Sequence, residues 1–148
     1  MAFELNYQQK FEIQTGTDET TDEPIYSRLA AGISSVEPDN NEDTSQDPYY
    51  DGEGFNETDV ISAQLILSFS GHRDYSDEAQ NYIYERATSI GSARRTSFRW
   101  TLPDGSIFEG NCTIAAISGP GGEANAKSDI SFEIHFNGKP EYTPPTSA

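Results

Sequence analysis

The sequence has few cations, one cysteine and no long apolar run, and each shortage excludes a class of protein. Among its 148 residues, 9 Lys plus Arg stand against 25 Asp plus Glu, so the formal net charge is −16 at pH 7. Proteins that grip a phosphate backbone need Lys and Arg to displace counterions, which argues against a conventional nucleic-acid-binding protein. The single cysteine, Cys112, excludes an internal disulfide framework and a cysteine-rich zinc site. No apolar run approaches the ~20 residues of a membrane span, so we expect no membrane contact.

The length of the chain suits one domain with a core and some solvated loop. A chain of 148 residues lies within the usual range of ~100–200 residues per domain, and we predict a single domain over residues 1–148. Only 34% of the residues are apolar and the mean hydropathy is −0.69, so part of the chain must be solvated. We expect an N-terminal arm over residues 1–15 and a C-terminal tail with two prolines over residues 141–148.

Most of the negative charge lies in the first half of the chain. Residues 1–72 hold 15 acidic residues against Lys10 and Arg28, and no Lys or Arg occurs between Ala30 and His72. These unneutralised acids and the low apolar content predict a long acidic loop over residues 37–59, either solvated or ordered only against a partner. Loops of this length are uncommon inside a domain and are often functional. The loop contains three aromatic residues that favour a partner, because their exposure is costly: Tyr49, Tyr50 and Phe55.

Alternation of apolar and polar residues predicts a mainly β fold. The period of a half-buried strand is present at residues 11–15 and is strongest over Val60–Ser70. Further strands are predicted at residues 24–29, 33–36 and 130–136, with a hairpin over residues 95–117. Cap-type and acidic residues followed by helically spaced apolar residues predict one helix at Ser76–Thr88. Together these elements predict an antiparallel β-sandwich or partly closed barrel with one flanking α-helix.

No pattern of residues indicates catalysis or a bound cofactor. A calcium loop needs a glycine at its sixth position and a glutamate at its twelfth, and loops that start at Asp39 or Asp47 do not supply both. The glycine-rich stretch 119–122 lacks the Lys-Ser/Thr of a phosphate-binding loop. His72 and His135 lie in no recognisable catalytic motif. We therefore expect a protein that is not an enzyme and that has no cofactor and no metal site.

The only basic cluster in the sequence is formed by Arg94, Arg95 and Arg99. These residues precede or lie on a predicted strand, and Glu109 and Glu133 are expected nearby. The simplest interpretation is a set of ion pairs, either between neighbouring strands or between subunits.

The order of these features resembles that of the tail tube (major tail) proteins of long-tailed bacteriophages, and of the related tubes of phage-tail-like bacteriocins. The resemblance covers residues 26–140 and depends on order and spacing, since no single motif is diagnostic. The segments that carry it are Tyr26–Leu29, Gly32–Pro38, Tyr49–Gly52, Val60–Ser70, Ser76–Thr88, Trp100–Gly105, Gly119–Ala126 and Phe136–Pro140.

The resemblance implies a structural virion protein that assembles into stacked hexameric rings, forming a tube through which genomic DNA passes during ejection. Its implied partners are further copies of itself, a tape-measure protein inside the tube, and tail terminator and distal tail proteins at the ends. DNA would pass without specific binding. The implied location is the virion tail, after synthesis in the host bacterial cytoplasm. Ring-to-ring contacts in this family usually involve the N-terminal segment and the long loop, here residues 1–15 and 37–59.

This resemblance and the charge pattern together define three sets of candidate residues. The candidates for ring stacking are Glu37, Asp39, Asp43, Tyr49, Tyr50 and Phe55. The candidates for lumen charge, which would repel DNA phosphates, are Glu109, Asp129 and Glu133. The candidates for intersubunit ion pairs are Arg94, Arg95 and Arg99. Three alternatives stay open: a monomeric acidic β-sandwich binding module, an acidic DNA mimic that binds a basic protein, and a carbohydrate-active enzyme.

Overall fold

A computed structural model describes residues 5–145 of the chain. The predicted arm and tail therefore lie partly outside the described residues, at positions 1–4 and 146–148. In the described part, ten strands and one α-helix follow one another along the chain. Their bounds are β1 Lys10–Thr17, β2 Pro24–Arg28, β3 Ile33–Asp39, β4 Asp43–Pro48, β5 Asn56–Ser62, β6 Ile66–His72, α1 Glu78–Glu85, β7 Arg95–Thr101, β8 Ile107–Gly121, β9 Asp129–Phe136 and β10 Glu141–Thr143.

Eight of the strands form one antiparallel sheet. Its order is β2-β1-β7-β8-β9-β6-β3, with β10 added beside β8, and β4 and β5 form a separate two-stranded sheet. The path ends at β2 and β3, so the sheet is open rather than a closed barrel across residues 5–145. The predicted mainly β, antiparallel fold with one flanking helix is confirmed. Among the described residues, no helix is both long enough and apolar enough to cross a membrane.

The eight-stranded sheet curls so that its apolar face encloses the core. The ring of Phe11 on β1 meets the ring of Phe69 on β6 edge-on, with centroids 5.2 Å apart. Phe98 on β7 also lies 5.9 Å from Phe69. Strands β7, β8 and β9 separate β1 from β6 in the sheet, so these contacts form only if the sheet bends back on itself. Phe69 also stacks on Phe132, at 5.1 Å, and thus lies at the centre of the core.

The helix covers one side of this core and is shorter than the predicted Ser76–Thr88. The side chain of Asp77 caps its N-terminus by accepting a hydrogen bond from the backbone N–H of Gln80. Ala79 and Ile83 are fully buried against the core, as their helical spacing predicts.

Gln80 is the polar residue that joins the helix to the sheet. Its side chain is completely buried. Its Nε2 donates to the carbonyl oxygens of Ala31, at 2.7 Å, and of His72, at 3.1 Å. Its Oε1 accepts from the backbone N–H of Asp74 at 2.8 Å. The helix, the end of β6 and the segment before β3 are therefore connected through one amide.

Gln80→Leu should destabilise the protein by about 1–3 kcal/mol, because buried backbone groups lose their hydrogen-bond partners. Urea unfolding followed by circular dichroism measures the change. The matched control is Glu85→Leu on the exposed side of the same helix, which should stay within about 0.5 kcal/mol of the wild type. Equal effects of the two variants would show that the amide network contributes no stability.

Three predicted boundaries are corrected by strand pairing. The single strand predicted at Val60–Ser70 is two strands, because residues 63–65 interrupt it between β5 and β6. Residues 10–15 of the predicted arm belong to β1 inside the main sheet. Within the predicted tail, Glu141–Thr143 pairs with β8, and the ring of Tyr142 lies 4.9 Å from that of Phe108.

The acidic segment predicted as a loop has regular structure over much of its length. Residue pairing between β4 and β5 runs from Asp43 opposite Ser62 to Pro48 opposite Asn56. The start of the segment, up to Asp39, belongs to β3. Beyond Asp39 the segment leaves the main sheet, and its backbone is paired with itself as a hairpin instead of forming the predicted loop.

Candidate assembly site

The acidic hairpin, residues 40–64, is an exposed element whose strands, β4 and β5, do not pair with the main sheet. At its base, the backbone N–H of Gln64 donates to the carbonyl oxygen of Asn40 at 2.7 Å. Every residue of β4 and β5 is exposed except Ser45, which is half-buried. A lone two-stranded hairpin is marginally stable in water, so this element needs a surface to pack against.

The register of the hairpin separates its charge onto one face. Successive side chains of a strand point to opposite faces, and Asp47 pairs opposite Glu57 while Ser45 pairs opposite Asp59. These carboxylates therefore share a face, which we call the acidic face. The opposite face carries no charged residue from the pair Thr44–Val60 to the pair Pro48–Asn56. Its residues there are Thr44, Gln46, Pro48, Asn56, Thr58 and Val60.

The tip of the hairpin presents the three aromatic residues predicted as contact anchors. Tyr50 is fully exposed, at 108% of its reference area, while Phe55 is 79% and Tyr49 49% exposed. Val60 and Ile61 are also exposed, on the returning strand. Clustered exposed apolar side chains mark interaction surfaces, and aromatic residues are enriched where binding energy concentrates.

The acidic ring-stacking candidates do not all lie on this element. Asp43 is at the base of the hairpin, where its carboxylate accepts a hydrogen bond from the hydroxyl of Ser62 at 3.0 Å. Glu37 and Asp39 are instead on β3, within the eight-stranded sheet. The structure therefore places Asp43 on the same hairpin as the three aromatic residues, at its opposite end, and places the other two acids on the main sheet.

Arg99 makes its ion pairs within its own chain. Its Nε donates to Oε2 of Glu109 at 2.6 Å, and its guanidinium also lies 3.8 Å from Glu12. Burial acts to lower the pKa of Arg99, but the hydrogen bond and charge of Glu109, together with the charges of Glu12 and Tyr26, raise the pKa above its ordinary value. Strand pairing places Arg99 opposite Glu109. Arg99 therefore forms an ion pair between neighbouring strands, which is one of the two kinds of ion pair predicted for the three arginines.

Arg94 and Arg95 differ in what they contact. Arg94 donates hydrogen bonds to three backbone carbonyls, those of Ala87, Ser89 and Ile114. Arg95 is exposed, and across residues 5–145 no carboxylate lies within 4.0 Å of it. Within residues 5–145, Arg95 is therefore the one of the three predicted arginines whose charge is available to another molecule.

The three predicted lumen acids lie apart from one another, each near a cationic or titratable side chain. Glu109 pairs with Arg99, as described. Glu133 is 2.8 Å from Nε2 of His135 on the same strand, and Asp129 is 3.5 Å from Nδ1 of His72. Their placement in a lumen stays a prediction.

The single thiol is buried and unreactive. Cys112 has no exposed surface, and burial raises its pKa to about 12. A protonated thiol is a poor nucleophile, so Cys112 acts as a packing residue of β8. Within the part of the chain that the structure describes, no three His, Cys, Asp or Glu side chains are grouped closely enough to hold a metal ion.

The described residues form a mainly β fold with a curled antiparallel sheet, one flanking helix and a projecting hairpin. No protein-family model matches the sequence, and no curated protein matches it. Solved structures do. A chain from the tail of an empty gene transfer agent particle, determined by helical refinement with C6 symmetry, superposes with a TM-score of 0.73. The match covers 96% of this chain and all of the other, at 15% sequence identity.

A second structure, the virion of a native gene transfer agent particle, contains a chain of the same fold. Its TM-score is 0.71, again at 15% identity and with 96% and 100% of the two chains covered. The predicted resemblance to tail proteins of phage-like particles is thus confirmed at the level of the fold.

Proposed function

We propose that this chain is the structural subunit of a phage-like tail tube and that its copies assemble into stacked rings. The observation that carries the proposal is the acidic hairpin: an exposed, self-paired element with an aromatic tip, whose strands pack against no other part of residues 5–145. The likeness in fold to a chain from a helical particle tail supports it. The role is structural and requires no catalysis.

Six subunits in a ring is the symmetry that we propose, since the similar tail was determined with C6 symmetry. Six copies at −16 each would give a ring with a charge of −96. Acids on the inner wall would repel DNA phosphates and let the polymer slide without adhering. The proposed lumen residues are Glu109, Asp129 and Glu133. Proposed partners are a tape-measure protein inside the tube and terminator and distal tail proteins at its ends.

Negative-stain electron microscopy of the purified chain, over a range of concentrations and salt, tests this proposal. Rings or tubes with a central hole are the expected result, with the fraction assembled measured by pelleting. Exclusively dispersed monomers under every condition, confirmed by analytical ultracentrifugation, would overturn the proposal and favour the monomeric binding module.

A further inference from the structure

We propose that the acidic face of the hairpin of one copy docks into a cationic cleft on a second copy. The inference rests on the proposed function, because it names the surface that receives the hairpin in the assembled tube. The cationic cleft lies between β1, β7 and α1 and has a volume of about 570 Å³. Its charged lining residues are Arg86 and Arg95, and the rest of the lining is polar or small.

The two arginines of the cleft are presented in different ways. Arg86 is held in place, since its guanidinium stacks over the ring of Tyr82 at 3.5 Å and donates to the Tyr82 carbonyl oxygen at 2.9 Å. Arg95 is exposed at the start of β7. The lining includes the amides of Asn111 and Asn137, which can donate hydrogen bonds to a carboxylate. The cleft is therefore suited to an anionic side chain.

The charge pattern of the chain points to the hairpin as the occupant. The hairpin contains seven acidic residues and no Lys or Arg: Glu42, Asp43, Asp47, Asp51, Glu53, Glu57 and Asp59. In residues 5–145, no Lys or Arg nitrogen lies within 4.0 Å of any of these carboxylates. Arg95 likewise has no carboxylate within that distance across the same span. Arg86 lies 3.8 Å from the carboxylate of Glu85, so Arg95 is the cation of the cleft that has no ion pair within residues 5–145. The hairpin carboxylates and Arg95 are therefore complementary between chains, and such complementarity selects the partner and fixes the docking register.

Charge reversal tests the pairing. The wild-type chain is assayed first for tube growth, because failure at that stage is failure of the proposed function. Where it grows tubes, Arg95→Glu should raise the critical concentration for growth at least about ten-fold, since a buried interfacial charge is left unpaired. The double variant Glu57→Lys/Asp59→Lys should also block growth, and combining it with Arg95→Glu should restore tubes. The control Glu123→Lys changes charge outside both surfaces and should leave growth unchanged.

Cross-linking tests the proximity directly, and the buried thiol of Cys112 leaves the introduced cysteines as the reactive ones. Thr17→Cys at the rim of the cleft is combined with Asp59→Cys on the acidic face. Oxidation of assembled protein should then give a ladder of covalent oligomers on a non-reducing gel. The matched control combines Thr17→Cys with Thr58→Cys, which lies on the neutral face of the same strand.

The outcomes of these experiments distinguish the docking of the hairpin from the proposed function in a tail tube. Tubes in the wild type with a ladder only from the Asp59→Cys pair, together with rescue by charge reversal, support the docking. Tubes without a ladder, an equal ladder from both pairs, or growth unaffected by Arg95→Glu would overturn it and leave the proposed function standing. A cross-link within one chain would run as a monomer and would also overturn it.

Discussion

Replacing residues 41–63 by Asn-Gly should leave a folded subunit and abolish tube growth. The hydrogen bond from the Gln64 N–H to the Asn40 carbonyl has the spacing of a two-residue turn once the hairpin is removed, and Asn-Gly suits such a turn. The exposed hairpin buries no core side chain, so urea unfolding of the shortened chain should match that of the wild type. Tube growth is measured by negative-stain microscopy and pelleting.

A second variant separates the hairpin backbone from its aromatic tip. Tyr49→Ser/Tyr50→Ser/Phe55→Ser keeps every acidic residue and the strand pairing while removing the exposed aromatic surface. We expect it to assemble weakly, with a higher critical concentration than the wild type, because aromatic anchors supply interface energy that the charges do not.

For the first variant, in which Asn-Gly replaces residues 41–63, unimpaired tubes would show that another surface forms the contact between subunits.

Phe69→Ala should destabilise the subunit by about 3–5 kcal/mol, the usual range for removing a buried phenylalanine ring. Phe69 is 1% exposed and touches rings from three other strands, those of Phe11, Phe98 and Phe132. Its removal leaves a cavity where β1 and β6 pack against each other across the core. Urea unfolding measures the loss, with Phe55→Ala at the exposed hairpin tip as a control expected to stay within about 0.5 kcal/mol.

A small effect of Phe69→Ala, comparable with that of Phe55→Ala, would contradict the curled sheet. It would mean that β1 and β6 do not pack across the core. The same measurement therefore tests the architecture as well as the packing of one residue.

Much of the main sheet could be predicted from the sequence because its strands have one face buried in the core. At β9, Ile130, Phe132, Ile134 and Phe136 are buried and alternate with more exposed positions, which is the period of a half-buried strand. The helix was predicted for a similar reason, through Ala79 and Ile83. The helix is shorter at both ends than predicted, and its start is hard to predict because the N-cap, Asp77, lies among several other residues that can also cap.

The hairpin could not be predicted as strands because its pairing involves no burial. The sequence of β4, Asp43–Pro48, contains no apolar residue that would produce alternation apart from its terminal proline. The apolar residues of β5 merged with those of β6 into one apparent strand, although Val60 and Ile61 are exposed while Leu67 and Phe69 are buried. Periodicity reports side-chain pattern, and it does not show where the chain leaves the sheet.

The position of the acidic stretch outside the core could be predicted from the sequence, but the contacts of individual candidate residues could not. The acidic stretch and its three aromatic residues were identified from charge and composition alone, and the structure places them on one exposed element. The sequence could not predict which arginine is available to contact another molecule, because nothing in the sequence distinguishes Arg94, Arg95 and Arg99. Their difference arises from tertiary contacts: backbone carbonyls around Arg94 and Glu109 beside Arg99.

The absence of any cation from the hairpin also bears on how free subunits behave before they assemble. Two hairpins that approach each other bring acidic residues of both ribbons together with no cation between them, and like charges placed opposite each other across paired strands are destabilising. Edge-to-edge joining of exposed strands is a common route to aggregation, and here it is opposed electrostatically. We therefore expect a concentrated pool of unassembled chains to stay dispersed, so that growth occurs by addition to a correctly formed end.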